Sequence, residues 1–128
     1  MISNGIDIIR VNRIESIKHL DKIFTLNELE YFKEHKALET KAGMYAAKEA
    51  LLKSLGVSLN VYSFLDIEVI HNNYRPYFVF HNKLEEYIKK ESLNFSLSIS
   101  HDGEYAVASV ICYKEVWNYF LFFTWKIN

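Results

Sequence analysis

The stretch KAGMYAAKEALLKSLG, residues 41–56, decides the fold. Ala, Leu and Lys dominate it, all residues of high helix propensity. Gly56 stands where a left-handed residue closes a helix. A long helix is therefore predicted over residues 41–55, with Tyr45, Glu49 and Leu52 or Lys53 sharing one face and Lys48 and Leu55 on a neighbouring one. Upstream, Ile2–Ile9 is rich in Ile and reads as a strand that carries Asp7 among apolar neighbours. Val11, Ile14, Ile17 and Leu20 then recur at a spacing that predicts a short amphipathic helix, with Arg10, Arg13, Lys18 and Lys22 mostly off its apolar stripe. Thr25 followed by Glu28 is a capping-box pattern that opens another helix, running through Phe32.

Downstream, FLDIEVI (64–70) alternates as a strand, Asn72-Asn73 begins a turn, and Tyr77–Phe80 returns as a second strand. Leu84, Tyr87 and Ile88 give a helical stripe between Asn82 and Glu91. LNFSLSIS (93–100) alternates strictly, His101-Asp102-Gly103 reads as a tight turn, and Tyr105–Tyr113 is the last strand. The expected fold class is α+β, a mainly antiparallel sheet packed against a long helix.

Composition narrows the functional classes. The 128 residues are half hydrophobic and 24% charged, with net charge −1, so no global field draws the chain to nucleic acid or membrane. The content of Gly (4) and Pro (1) is too low for intrinsic disorder. Length and the absence of a linker predict one domain over residues 1–128, with an aromatic C-terminal extension over 116–128. No stretch reaches the roughly 18 uncharged apolar residues of a membrane span, and the N-terminus does not read as a signal peptide. Cys112 has no partner for a disulfide or a cysteine-based zinc site, which points to a reducing compartment, the cytoplasm. The five histidines lack metal-ligand spacing, and no glycine-rich phosphate loop is present.

Three places are candidates for chemistry. Asp7 reads either as a strand-end carboxylate open to water or as a metal ligand, since burial of an uncompensated carboxylate is costly. Glu49, set among Ala46, Ala47, Ala50 and Leu51, is its natural partner. Two carboxylates from separate elements suit Mg²⁺, which keeps several waters and takes further ligands from substrate phosphates. Lys48 and Lys53 flank Glu49 and read either as a solvated face or as phosphate-binding point charges. His101 reads either as an exposed turn residue or as a donor to a phosphate.

Four motifs in collinear order change the weight of these alternatives. GIDIIRVNRIE (5–15), FTLNELEYF (24–32), AGMYAAKEALLKSLG (42–56) and SISHDGEYAVASV (98–110) together resemble the bacterial holo-(acyl-carrier-protein) synthases, the small single-domain 4′-phosphopantetheinyl transferases. The resemblance spans about residues 2–113. It implies transfer of the phosphopantetheine arm of coenzyme A to a serine of an acyl carrier protein, with release of adenosine 3′,5′-bisphosphate. By position it makes Asp7 and Glu49 the Mg²⁺ ligands, and gives Lys48 a catalytic role beside them. It makes Lys48, Lys53, Gly56 and His101 contacts to coenzyme A. Arg10, Arg13, Ile17 and Lys18 become the surface that docks the acidic carrier, a local basic patch that a net charge of −1 hides. A homotrimer with active sites between subunits is implied as well. Met44 stands where the family commonly has Arg, so one anionic contact fewer is expected. A non-catalytic carrier-binding protein is the alternative to an enzyme, and catalysis is favoured by the intact set of Asp7, Glu49, Lys48 and His101.

Overall fold

In chain order the described elements are β1 (Ile2–Arg10), α1 (Leu26–Glu34), α2 (Leu38–Leu55), β2 (Ile67–Ile70), β3 (Tyr77–Phe80), α3 (Asn82–Lys90), β4 (Leu93–Asp102) and β5 (Tyr105–Lys114). The computed structural model describes residues 1–57, 59–73 and 75–114, so the aromatic extension over 116–128 lies outside the described residues. The α+β class is as expected, with two antiparallel sheets ordered β1-β5-β4 and β2-β3.

Helix α2 is the hub. It begins three residues earlier than predicted and ends on Gly56, which adopts φ 70° and ψ 25°. Buried residues ring it nearly all round, from Ala42, Met44 and Ala46 to Ala50, Leu51 and Leu52, the pattern of a helix inside a core rather than on a surface. It lies on the inner face of the large sheet, where Gly5 and Ile9 of β1 and Ala106, Ala108, Val110 and Cys112 of β5 are buried. The contact with β1 is made possible by a missing side chain: a Cβ on Gly5 would lie 1.9 Å from the Ala50 carbonyl oxygen and 2.6 Å from the Ser54 nitrogen. Only glycine lets strand and helix backbones approach this closely.

Three expectations need correction. Residues 11–22 form two short 3₁₀ turns, Val11–Ser16 and Leu20–Lys22, not an amphipathic α-helix. The apolar residues recur every three positions without the four-residue step that a 3.6-residue period requires, and strict threes are the 3₁₀ repeat. Extended Ile17, at φ −82° and ψ 118°, separates the two turns. Phe64–Asp66 is likewise a 3₁₀ turn, capped by Ser63 in a capping box with Asp66, and the strand starts only at Ile67. His101 and Asp102 belong to β4, so the hairpin turns on Gly103 and Glu104.

The polar core is built on Glu28. The Thr25–Glu28 capping box forms as expected. Yet Glu28 is 1% exposed and does more than cap, accepting from Val69 N at 2.8 Å and from Lys48 Nζ at 2.6 Å. Lys48 donates further to the carbonyls of Ile23 at 2.6 Å and Phe64 at 3.2 Å. One buried lysine thereby ties α2 to the start of α1 and to the turn before β2.

Candidate active site

Strand β1 alternates, so Ser3, Gly5, Asp7 and Ile9 face α2 while Ile2, Ile6 and Ile8 face out. Two residues beyond the Gly5 contact, the Asp7 side chain is 15% exposed, and its Oδ1 lies 3.0 Å from Lys53 Nζ. Lys53 also donates to the Ile6 carbonyl at 3.0 Å. One turn back along α2 stands Glu49, close enough to Asp7 to feel its charge. Burial first, and the Asp7 charge second, push the Glu49 carboxyl above the usual carboxylate range. The Tyr45 hydroxyl and the charges of Lys53 and Arg13 act in the opposite direction. Tyr45 is itself raised, by burial and then by the Glu49 charge. The cluster is thus Asp7, Tyr45, Glu49 and Lys53, with Arg13 at its edge.

Two like charges brought together at a helix–strand contact call for a cation. Among the described residues no group of three or more His, Cys, Asp or Glu side chains is disposed to hold a metal. Two carboxylates with open coordination fit a hard divalent ion that completes its shell with water and substrate oxygens, and do not fit a closed structural site.

Residues 3–110 match the model of the 4′-phosphopantetheinyl transferase superfamily. The chain belongs to that superfamily. It is 40% identical over 116 residues to the holo-[acyl-carrier-protein] synthase of Finegoldia magna, covering 87% of this chain and 95% of the relative. Among solved structures it resembles the holo-(acyl-carrier-protein) synthase from Bacillus anthracis in complex with CoA (3′,5′-ADP), at TM-score 0.75 and 37% identity over 88% of this chain and 96% of that one. The Neisseria meningitidis holo-[acyl-carrier-protein] synthase superposes at TM-score 0.81 and 27% identity, over 89% of this chain and 100% of that one.

The structure brings some of the candidate residues of this phosphopantetheinyl transferase together and keeps others apart. Asp7, Glu49 and Lys53 converge. Lys48 does not join them: it is 0% exposed, its ammonium donates to Glu28, Ile23 and Phe64, and it lies 5.2 Å from the Phe24 ring centroid. In this structure Lys48 is therefore engaged in the core, tying α2 to Glu28, Ile23 and Phe64 rather than facing the Asp7 cluster. Met44, 1% exposed, is also a core residue. Gly56 ends α2 just past Lys53 and leaves open space where a side chain would stand. His101 is exposed and sits in the Ile9–Ala106–His101 row of the sheet, two rows from the Asp7–Ala108–Ile99 row. Two strand spacings, about 10 Å, separate it from β1, so within one chain it stands apart from the carboxylates.

Of the docking candidates, Arg13 and Lys18 are exposed. Arg10 lies 5.1 Å from the Tyr105 ring centroid and pairs with Glu104 at 3.6 Å. Ile17 packs partly against the core. Sequence reasoning assigned no role to Tyr45 and saw in Glu28 only a cap. The i, i+4 spacing of Tyr45 and Glu49 was the available signal for the first; nothing local signals the second.

Proposed function

We propose that this protein transfers the 4′-phosphopantetheine arm of coenzyme A to a serine of apo-acyl carrier protein, as a holo-[acyl-carrier-protein] synthase, releasing adenosine 3′,5′-bisphosphate. The observation that carries the reading is the meeting of Asp7 and Glu49 across the Gly5 contact, with Lys53 at 3.0 Å from Asp7. Attack on a pyrophosphate phosphorus asks for positioning and charge neutralisation more than for covalent help. Asp7 and Glu49 would hold Mg²⁺, which when bound offsets the charge of the pyrophosphate and its leaving group. Lys53, with two of its three donors engaged, offers the third to a phosphate oxygen. The serine oxygen forms a bond to the β-phosphorus as the bond to the bisphosphate leaving group breaks, and the serine proton passes to a water or a carboxylate of the site. Arg13 and Lys18 supply local positive charge for an acidic carrier.

Gly56 and His101 are assigned to coenzyme A, His101 reaching a site completed by a second copy. Support for a trimer comes from the outer face of the large sheet, where Ile2, Ile6, Ile8 and Ile111 are exposed, Ile2 to 79%. Isoleucines exposed on one sheet face, although interrupted by Asn4 and by the serines of β4, are a mark of an interface. A cytoplasmic location goes with this reading, since Cys112 is a free buried thiol. No helix among the described residues is long and apolar enough to cross a membrane.

The test is intact-mass spectrometry of apo-acyl carrier protein incubated with the protein, coenzyme A and Mg²⁺, with a chelator control. We expect a gain of one phosphopantetheine arm that disappears with chelator and in folded Asp7→Ala and Glu49→Gln variants. Full activity in both variants would overturn the site, and no gain with several carriers would overturn the enzyme in favour of a carrier-binding protein.

A further inference from the structure

We infer that Tyr45 is a positioning residue for divalent-metal binding, its hydroxyl holding the Glu49 carboxylate turned toward Asp7. The inference rests on reading Asp7 and Glu49 as the metal ligands, and concerns a residue to which that reading gives no task. Tyr45 stands one helical turn before Glu49, so its side chain lies on the same face of α2. The Tyr45 hydroxyl is near enough to the Glu49 carboxylate for each side chain to feel the other. The ring is held, with its centroid 5.5 Å from that of Phe64, so the hydroxyl is presented from a packed platform.

The physical need for such a donor follows from the charges. Asp7 and Glu49 repel one another until a cation lies between them, and a glutamate has three rotatable bonds with which to swing away. Arg13 lies within electrostatic reach of Glu49 and would reward that swing. A hydrogen bond to one carboxylate oxygen opposes it and leaves the other oxygen free for the metal. Groups that orient a ligand in this way contribute to metal affinity nearly as strongly as ligands do, and their loss typically costs about tenfold or more. Substituting Phe at 45 keeps the ring against Phe64 and removes only the oxygen.

The experiment is a Mn²⁺ titration followed by electron paramagnetic resonance, on the protein saturated with coenzyme A and without carrier, so that no turnover occurs. Wild type, Tyr45→Phe and Glu49→Gln are compared, and thermal melting checks that each is folded. The inference expects Glu49→Gln to lose the bound Mn²⁺ signal, and Tyr45→Phe to need about tenfold more Mn²⁺ for half-saturation at an unchanged melting temperature. Should Tyr45→Phe titrate like wild type while Glu49→Gln does not, the positioning role is overturned and the metal site stands. Should Glu49→Gln also titrate like wild type, Glu49 is no ligand, and the inference falls with the reading beneath it.

Discussion

Replacing Gly5 by Ala adds one methyl group, and its effect can be worked out from the geometry. The new Cβ would lie 1.9 Å from the Ala50 carbonyl oxygen, 2.6 Å from the Ser54 nitrogen and 2.9 Å from the Ala50 carbonyl carbon, all backbone atoms of α2. Side-chain carbons essentially never approach within 3.0 Å, so strand and helix must part by at least about 1.1 Å. No rotamer change relieves a clash between two backbones. Overpacking usually costs about 1–3 kcal/mol, and this contact belongs at or above the top of that range. At roughly 4 °C per kcal/mol for a chain of this size, the melting temperature should fall by about 12 °C. Gly43→Ala is the control, because its Cβ meets only one side-chain atom, the Ile99 Cγ2 methyl, at 2.7 Å, and no backbone. Rotation of Ile99 relieves that contact, and alanine gains up to about 1 kcal/mol of helix propensity. The same displacement moves Asp7 relative to Glu49, and an error of about 1 Å in a reacting geometry can cost on the order of 100-fold in rate. Differential scanning calorimetry and the carrier mass assay, run well below the melting transition, read the two effects separately. A Gly5→Ala protein that melts within 2 °C or so of wild type and transfers at full rate would refute the account of the β1–α2 contact.

Two further outcomes are expected. Lys48→Met leaves the Glu28 charge buried without its cation, and breaking a buried pair from one side costs about 3–5 kcal/mol; denaturant unfolding checks this, and a small loss of stability with a raised KM for coenzyme A would instead make Lys48 a substrate contact. His71 is held below the ordinary histidine value, by burial and then by the His35 charge. Its Nδ1 is buried without a partner, and its ring stacks on Tyr31, with centroids 5.0 Å apart. The unfolded chain therefore binds the His71 proton more readily, so this contribution to stability is complete above about pH 6.5 and is lost as pH falls from there toward the lower folded value. Melting curves between pH 8 and 5 should fall less steeply for His71→Phe, and parallel curves would refute the assignment.

How much of this was legible in the sequence depended on whether the deciding contact was local. Strands β1, β4 and β5 were readable because one face of each is covered by α2 and the alternation records it. The Gly56 stop and the Thr25 cap were readable because the partners lie within a few residues. The 3₁₀ turns were missed by taking Val11, Ile14, Ile17 and Leu20 as helical, although a strict three-residue step carries a side chain progressively round an α-helix. Lys48 and Lys53 were indistinguishable as letters. They lie about 140° apart around α2, and which side meets water is settled by Glu28, twenty positions upstream, and by Phe24 and Phe64. Asp7 and Glu49 were nominated for the opposite reason: a carboxylate among apolar residues is anomalous wherever it stands.

The placement of Glu49 then explains why a buried ion pair is retained beside it. An Ala-rich helix presents a smooth surface and has little to oppose rotation or sliding within a core. Two contacts oppose it here from different sides. Gly5 seats β1 against the Ala50 carbonyl and the Ser54 nitrogen, while Lys48 hooks the far side of α2 to Glu28 and to the carbonyls of Ile23 and Phe64. Glu49 is the residue between Lys48 and Ala50, so both contacts act within one position of it. Buried pairs rarely add net stability over apolar residues of the same volume, and their best-attested use is to select one register. In this fold the register selected is the one that turns Glu49 toward Asp7. A Lys48→Met, Glu28→Met double variant should accordingly recover much of the stability lost in Lys48→Met without recovering the rate of transfer; recovery of both would show that α2 needs no hook.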